Sequence, residues 1–230
     1  MGTTEGMSVF QFIMAGGPIM WPILLCSVFA LGIIITKLIY LGSIQTDPYE
    51  LKNKVFALVK DNRIKEAVEL CNTNPSPVAK ILKAGILKFG CSREEIKETI
   101  EGISLFEIPT LEKNLNLLAI IANVCPLLGL LGTVTGMITV FQTIQVRAAS
   151  LNPVTPGDLA GGIWQALLTT VASLIVSIPA FVGYNYCVSR VNTIVLDMER
   201  AATELVNFLC HISESSPMNM DDKEDPPFLG

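Results

Sequence analysis

The chain has 230 residues, half of them apolar, a mean hydropathy of +0.52, 16% charged residues and a formal net charge of −5. Such a composition is too apolar for an ordinary soluble domain and too acidic for a nucleic-acid binder.

Charge placement says more than charge number. No Asp, Glu, Lys or Arg occurs between Glu5 and Lys37, between Lys113 and Arg147, or between Asp158 and Arg190, and each gap exceeds 30 residues. A helix rises ~1.5 Å per residue, so ~20 apolar residues cross a ~30 Å hydrocarbon core. Three membrane spans are therefore predicted in an all-α polytopic protein whose long helices extend into a cytoplasmic helical domain.

In chain order, residues 1–17 are expected to be a periplasmic N-terminus with a short interfacial helix over MSVFQFIM, broken at Gly16 and Gly17. Span one covers 18–41. Residues ahead of it lack the basic stretch of a signal peptide, and its apolar run is too long for one, so retention is expected. Residues 42–113 read as amphipathic helices. Leu51, Val55, Leu58 and Val59 share one face, and Ile64, Ala67, Val68 and Cys71 share another before NTNPSP. A third helix runs from Val78 to Phe89 and stops at Gly90, after which Ser92 and Glu95 form a capping box.

Span two occupies 114–146, with Pro126 positioned to interrupt or kink it and Gly129, Gly132 and Gly136 allowing a neighbouring helix close. A periplasmic loop, 147–158, leads to span three at 159–189, which contains Pro179. Val191, Ile194, Met198, Ala201, Leu205 and Leu209 keep helical spacing, so a cytoplasmic helix is expected over 190–213. An acidic, proline-bearing tail, 214–230, is expected to be disordered.

Orientation follows from basic residues, which resist translocation. Residues 42–113 hold eleven Lys and Arg, whereas the 147–158 loop holds only Arg147. The middle segment and C-terminus are thus predicted cytoplasmic, the N-terminus periplasmic. Trp21 and Trp164 fall at the outer span ends and Tyr40, Tyr184 and Tyr186 toward the inner ends, as an interfacial belt requires.

Enzymatic motifs are absent. The cysteines at 26, 71, 91, 125, 187 and 210 form no metal-ligand pattern and read as small apolar side chains, while the one histidine, His211, ends a polar-faced helix. Eleven acids balance the eleven cations of 42–113, leaving no basic patch for nucleic acid.

Hydroxyls are concentrated instead inside spans two and three. Thr133, Thr135, Thr139 and Thr143 lie in the former, and Thr169, Thr170, Ser173 and Ser177 in the latter. Thr135, Thr139 and Thr143 keep helical spacing, as do Thr170, Ser173 and Ser177, so each helix carries a polar stripe. Taken singly, such residues read as packing groups or as donors to their own backbone. Taken as paired stripes beside glycine faces, they also suit a water-lined path. No span contains a carboxylate, and Gln165 cannot titrate, so a proton path would need its acid from another polypeptide.

PLLGLLGTVTGMI at 126–138 and GGIWQALLTTVASLIVSIPAFVGYN at 161–185 resemble the ExbB/TolQ branch of the MotA/TolQ/ExbB proton-channel family. The likeness covers nearly the whole chain, although motor-stator relatives have a fourth span. It implies that Thr133 and Thr170 are pore-facing, alongside the candidates Thr135, Thr139, Ser173, Ser177 and Gln165. It further implies a five-fold ring, lipid outside and the helix of an ExbD- or TolR-like single-span partner inside, with the partner's aspartate titrating. Ion flow would then drive a TonB- or TolA-like energy transducer in an inner-membrane motor serving outer-membrane transport or envelope maintenance. No cofactor is implied. Gln165 stands where family members carry a glutamate, which leaves the ion open between proton and sodium. Two other functions fit the same spans less fully: a non-conducting scaffold, and an independent transporter, for which no inverted repeat is evident.

Overall fold

The computed structural model describes residues 14–44 and 48–215. Among them there is no strand. The elements are α1 (Met20–Ser43), α2 (Pro48–Lys60), α3 (Ile64–Thr73), α4 (Pro77–Leu87), α5 (Arg93–Glu112), α6 (Leu115–Ala149) and α7 (Pro156–Ser215). The expected interfacial helix lies mostly, and the acidic tail almost entirely, outside the described residues.

The chain forms two compact units, one comprising Met1–Tyr40 and Glu112–Ser189, the other Leu41–Leu111 and Arg190–Gly230. Among the described residues three helical stretches are long and apolar enough to cross a membrane, and they include α1, α6 and most of α7. With 60 residues, α7 is about 90 Å long, roughly three times the hydrocarbon thickness. Pro126 lies within α6 and Pro179 within α7, and neither ends its helix. The break comes at Asn114, whose left-handed φ of 65° separates α5 from α6.

In the first unit Ala30 of α1, Leu118, Ile121 and Ala122 of α6 and Ala180 of α7 form a buried cluster. Cys26, Ile33, Ile34 and Tyr184 pack around it. Small residues recur because in lipid the helices gain little from apolar burial and must approach closely to gain dispersion contacts. Opposite faces of the same helices expose Val28, Phe29, Leu130, Phe141, Ile175 and Val182, an apolar surface suited to acyl chains or other transmembrane helices.

The second unit packs by aqueous rules. Leu51, Val55 and Val59 of α2 and Ala67 and Cys71 of α3 turn inward. Val191, Met198, Ala201, Leu205 and Leu209 line the buried face of α7. Phe56 stacks on Phe208 with ring centroids 4.4 Å apart. All six cysteines are free, and burial pushes the Cys71 thiol up to about 11, so it is an unreactive apolar side chain.

Local chemistry sets the helix starts. Asn74 accepts from the Ser76 amide, Ser76 caps α4 by accepting from the Ala79 amide, and Pro77 opens the helix. Before α5, Ser92 accepts from the Glu95 amide at 3.3 Å, as the capping box predicts, but the Glu95 carboxylate turns to Lys88 at 2.8 Å.

Gly85 of α4 shows how tightly this unit closes. A methyl added there would overlap Leu205 Cδ2 and meet Ile100 Cδ1 at 3.3 Å. Leu205→Ala should destabilise the protein by about 2–5 kcal/mol in denaturant titrations of the purified chain. Gly85→Ala should destabilise the wild type, yet stabilise the Leu205→Ala background, where the methyl fills the vacated space. Equal effects in both backgrounds would contradict this packing.

Candidate functional site

Antiparallel contact between α6 and α7 organises the first unit. On α6 the buried positions Cys125, Gly129, Gly132, Gly136 and Val140 recur at helical spacing. Each glycine meets a small residue of α7. A methyl added at Gly129 would overlap the Ser173 hydroxyl, and one at Gly132 would overlap the Thr169 hydroxyl. One at Gly136 would lie 2.7 Å from both Ala166 Cβ and the Gly162 carbonyl oxygen. The backbones therefore approach to a distance that no side chain beyond hydrogen permits.

This contact sorts the hydroxyls. Thr169, Ser173 and Ser177 are buried against α6 within a single chain, with at most 4% of their surface exposed. Thr133, Thr135, Thr143 and Thr170 are half-buried and Thr139 is exposed. Nearly every hydroxyl donates to its own helix: Thr133 to Leu130 at 2.7 Å, Thr135 to Gly132 at 3.0 Å and Thr139 to Thr135 at 3.1 Å. Thr169 donates to Ala166 at 2.9 Å, Ser173 to Thr170 at 2.9 Å and Ser177 to Leu174 at 3.5 Å. Thr170 differs, because its proton is shared between its own Ala166 carbonyl and the Gly129 carbonyl of α6, each at 3.2 Å.

Helical geometry then assigns flanks. Thr133 stands one turn beyond Gly129, whose carbonyl receives the Thr170 proton, so Thr133 and Thr170 are neighbours on one flank of the helix pair. At about 100° per residue, Thr135 points about 160° away from Thr133, and Gln165 about 140° away from Thr170. The opposite flank meets α1, where Gly183 of α7 packs on Ile34. Gln165 lies on that side, its amide against Gly17, whose φ of +71° and lack of a Cβ leave it room. The structure thus brings Thr133 and Thr170 together, sets Ser173 and Ser177 between the helices, and turns Gln165 toward the N-terminal segment.

Sequence reading missed two features. Thr169 and Gly162 are central to the contact, and the run of small residues 162, 166, 169, 173 opposite the glycines was the available signal. The other is a clip across the turn between the two helices. Asp158 accepts from the Thr155 hydroxyl at 2.7 Å, from the Thr155 amide at 3.0 Å, and from Arg147 at the end of α6. Hydrogen bonds from the Thr155 hydroxyl and amide, then the Arg147 guanidinium, hold the Asp158 carboxyl below its usual range.

These features define a multi-pass helical membrane protein whose glycine-packed helix pair presents hydroxyls but no Asp, Glu, Lys or Arg along its spans. A model of the MotA/TolQ/ExbB proton channel family matches residues 73–200, a range that includes both segments from which the resemblance was drawn. The chain belongs to that family. It is 30% identical over 172 residues to an ExbB-like biopolymer transport protein of Synechocystis, covering 75% of this chain and 81% of that one. It is 31% identical over 171 residues to the biopolymer transport protein exbB1 of Vibrio cholerae, covering 73% of each. The Tol-Pal system protein TolQ of Haemophilus influenzae is 36% identical over 118 residues, half of each chain.

Two measurements test the contact and its clip. Gly136→Ala should lower the melting temperature in detergent, because the Gly162 carbonyl is backbone and cannot turn aside; overpacking of this kind costs about 1–3 kcal/mol. Gly161→Ala, which meets nothing within 4 Å, should leave it unchanged. Because the folded Asp158 carboxyl titrates below the unfolded one, its contribution is present above ordinary carboxylate pKa values, ~3.9, and is lost as pH falls through the folded value. Asp158→Asn should therefore melt below the wild type at neutral pH, and the difference should vanish in acid.

Proposed function

We propose that this chain is the channel-forming subunit of an energy-transducing motor in the bacterial inner membrane, with its N-terminus periplasmic and its C-terminus cytoplasmic. In this reading, copies of the chain form a ring, five-fold by family resemblance, around an ExbD- or TolR-like single-span partner. Proton flow through the ring moves the partner and, through a TonB- or TolA-like transducer, supports outer-membrane transport or envelope maintenance. The family membership and the named ExbB and TolQ relatives support it.

The observation that carries the reading is a polar site without an acid. Thr133 and Thr170 share the flank of α6 and α7 that is turned away from α1, and their lone pairs can accept from water while their protons stay on backbone carbonyls. A hydroxyl offers a hydrogen-bonded route but no charge reservoir at neutral pH, so the titrating carboxylate comes from the partner helix in the ring. Thr135, Thr139 and Gln165 occupy the other flank, and Ser173 and Ser177 the interior. In this proposal they support the wall and lie off the main path.

The test compares variants of the chain reconstituted with its partner in proteoliposomes. Thr133→Val and Thr170→Val should each reduce gradient-driven proton flux by more than about tenfold, or ~1.4 kcal/mol of barrier. The interhelical bond lost with Thr170 is worth only about 0.6 kcal/mol, so assembly should survive. Thr139→Val should retain most of the flux. Unimpaired flux in both flank variants, with the partner bound, would favour a scaffold in which these threonines only pack.

A further inference from the structure

Between α5 and the part of α7 from Val195 to Asn207, the second unit holds a cleft of about 560 Å³. Arg93 donates to Asn207 at 2.9 Å at one end, and Ile108 and Val195 line the other, so the two walls run antiparallel. Ile100, Met198 and Val206 supply an apolar floor.

Charge divides the cleft along its length. Arg93 and Lys97 stand one turn apart at the Asn207 end, and Glu101 and Glu199 lie further along. Both cations have partners: Arg93 holds the neutral Asn207 amide, and Lys97 holds the exposed Glu101 carboxylate, one turn on, at 3.5 Å. An amide cancels no charge, and an exposed pair of this spacing contributes little. A guanidinium carries five N–H groups and an ammonium three, so each can add a carboxylate while keeping the partner it has. Past Glu199 the lining residues are Ser104, Ile108 and Val195, none of them charged.

The sequence that follows α7 carries a complementary order. Asp221, Asp222, Glu224 and Asp225 flank a single Lys223, and Pro226, Pro227, Phe228 and Leu229 follow without charge. Reach fits as well. From Asn207 to Ser215 the helix advances eight residues, ~12 Å, whereas the six residues from Ser215 to Asp221 can span up to ~20 Å. The acidic run can therefore return to Arg93. Seven residues separate Asp221 from Phe228 and can span up to ~23 Å, against ~18 Å for the twelve helical residues between Asn207 and Val195. Tethering over such a distance gives an effective concentration on the order of millimolar, so a contact too weak for a free peptide is sufficient here.

We propose that residues 221–229 fold back into this cleft of their own chain. The acidic run lies on Arg93 and Lys97, and the uncharged end passes Glu101 and Glu199 to place Phe228 and Leu229 on the apolar wall beyond. So occupied, the cleft ties α5 to α7 and is closed to a second copy of the chain.

The experiment places the photoreactive residue benzoylphenylalanine at Phe228 of the full chain in nanodiscs and maps the adducts by mass spectrometry. Illumination should give a product of monomer size, joined to residues 100–108 or 195–206. Arg93→Glu combined with Lys97→Glu should cut its yield at least about fivefold, because like charges then face each other. Adding Asp221→Lys and Asp222→Lys to that variant should restore the yield. Raising the salt from about 0.1 M to about 1 M should lower it in the wild type. An adduct outside the cleft, a dimer-sized product, a yield indifferent to the charge reversal, or a loss that the two lysine substitutions fail to restore would each overturn the proposal. Because the readout is the position of a crosslink, it stands or falls separately from proton flux.

Discussion

Everything in the membrane unit depends on how closely α6 can approach α7. In water, apolar burial would hold two helices together across a wide range of side chains. In lipid that drive is nearly absent, and association rests on close dispersion contact and the few polar bonds available. Gly129, Gly132 and Gly136 against Ser173, Thr169, Ala166 and Gly162 meet this requirement, since the facing backbones leave no space for a methyl group. A single chain thereby fixes the rotation of both helices about their own axes.

Fixed rotation gives each hydroxyl its role. Thr169, Ser173 and Ser177 are consumed by the contact. Thr133 and Thr170 are left on one flank, Thr135 and Thr139 on the other, and Gln165 meets Gly17 of the N-terminal segment. A hydroxyl bond between the helices, from Thr170 to the Gly129 carbonyl, ties the packing surface to the polar flank, so the same residue contributes to both. Spans two and three contain no Asp, Glu, Lys or Arg, which keeps the cost of burying this surface low. In the proposed channel it also leaves the wall without a titrating group, which is the physical reason for proposing a partner that carries one.

Much of this was legible in the residues. Charge-free gaps located the spans, the faces of α2 and α3 followed from apolar spacing, and the Ser92 and Glu95 pair marked the start of α5. The hydroxyl stripes were legible as stripes but not as faces. Thr169 and Thr170 are adjacent, and the sequence pattern 166, 169, 170, 173, 177 is compatible with either leading, whereas only the glycine ladder of α6 decides which of them is buried. Gln165 against Gly17 was not legible at all, because the contact joins segments far apart in sequence and depends on a left-handed glycine. The Asp158 clip was hidden for a similar reason: its partner Arg147 belongs to the preceding helix and had served only as a topology marker.

The central claim is that the chain builds the wall of a proton path and leaves the acid to a second polypeptide. It is tested most directly by measuring gradient-driven proton flux in proteoliposomes containing this chain alone, and again after adding a single-span partner with an intramembrane aspartate. The prediction is background flux from the chain alone and robust flux with the partner, lost when that aspartate is replaced by asparagine. Robust flux from the chain alone would contradict it.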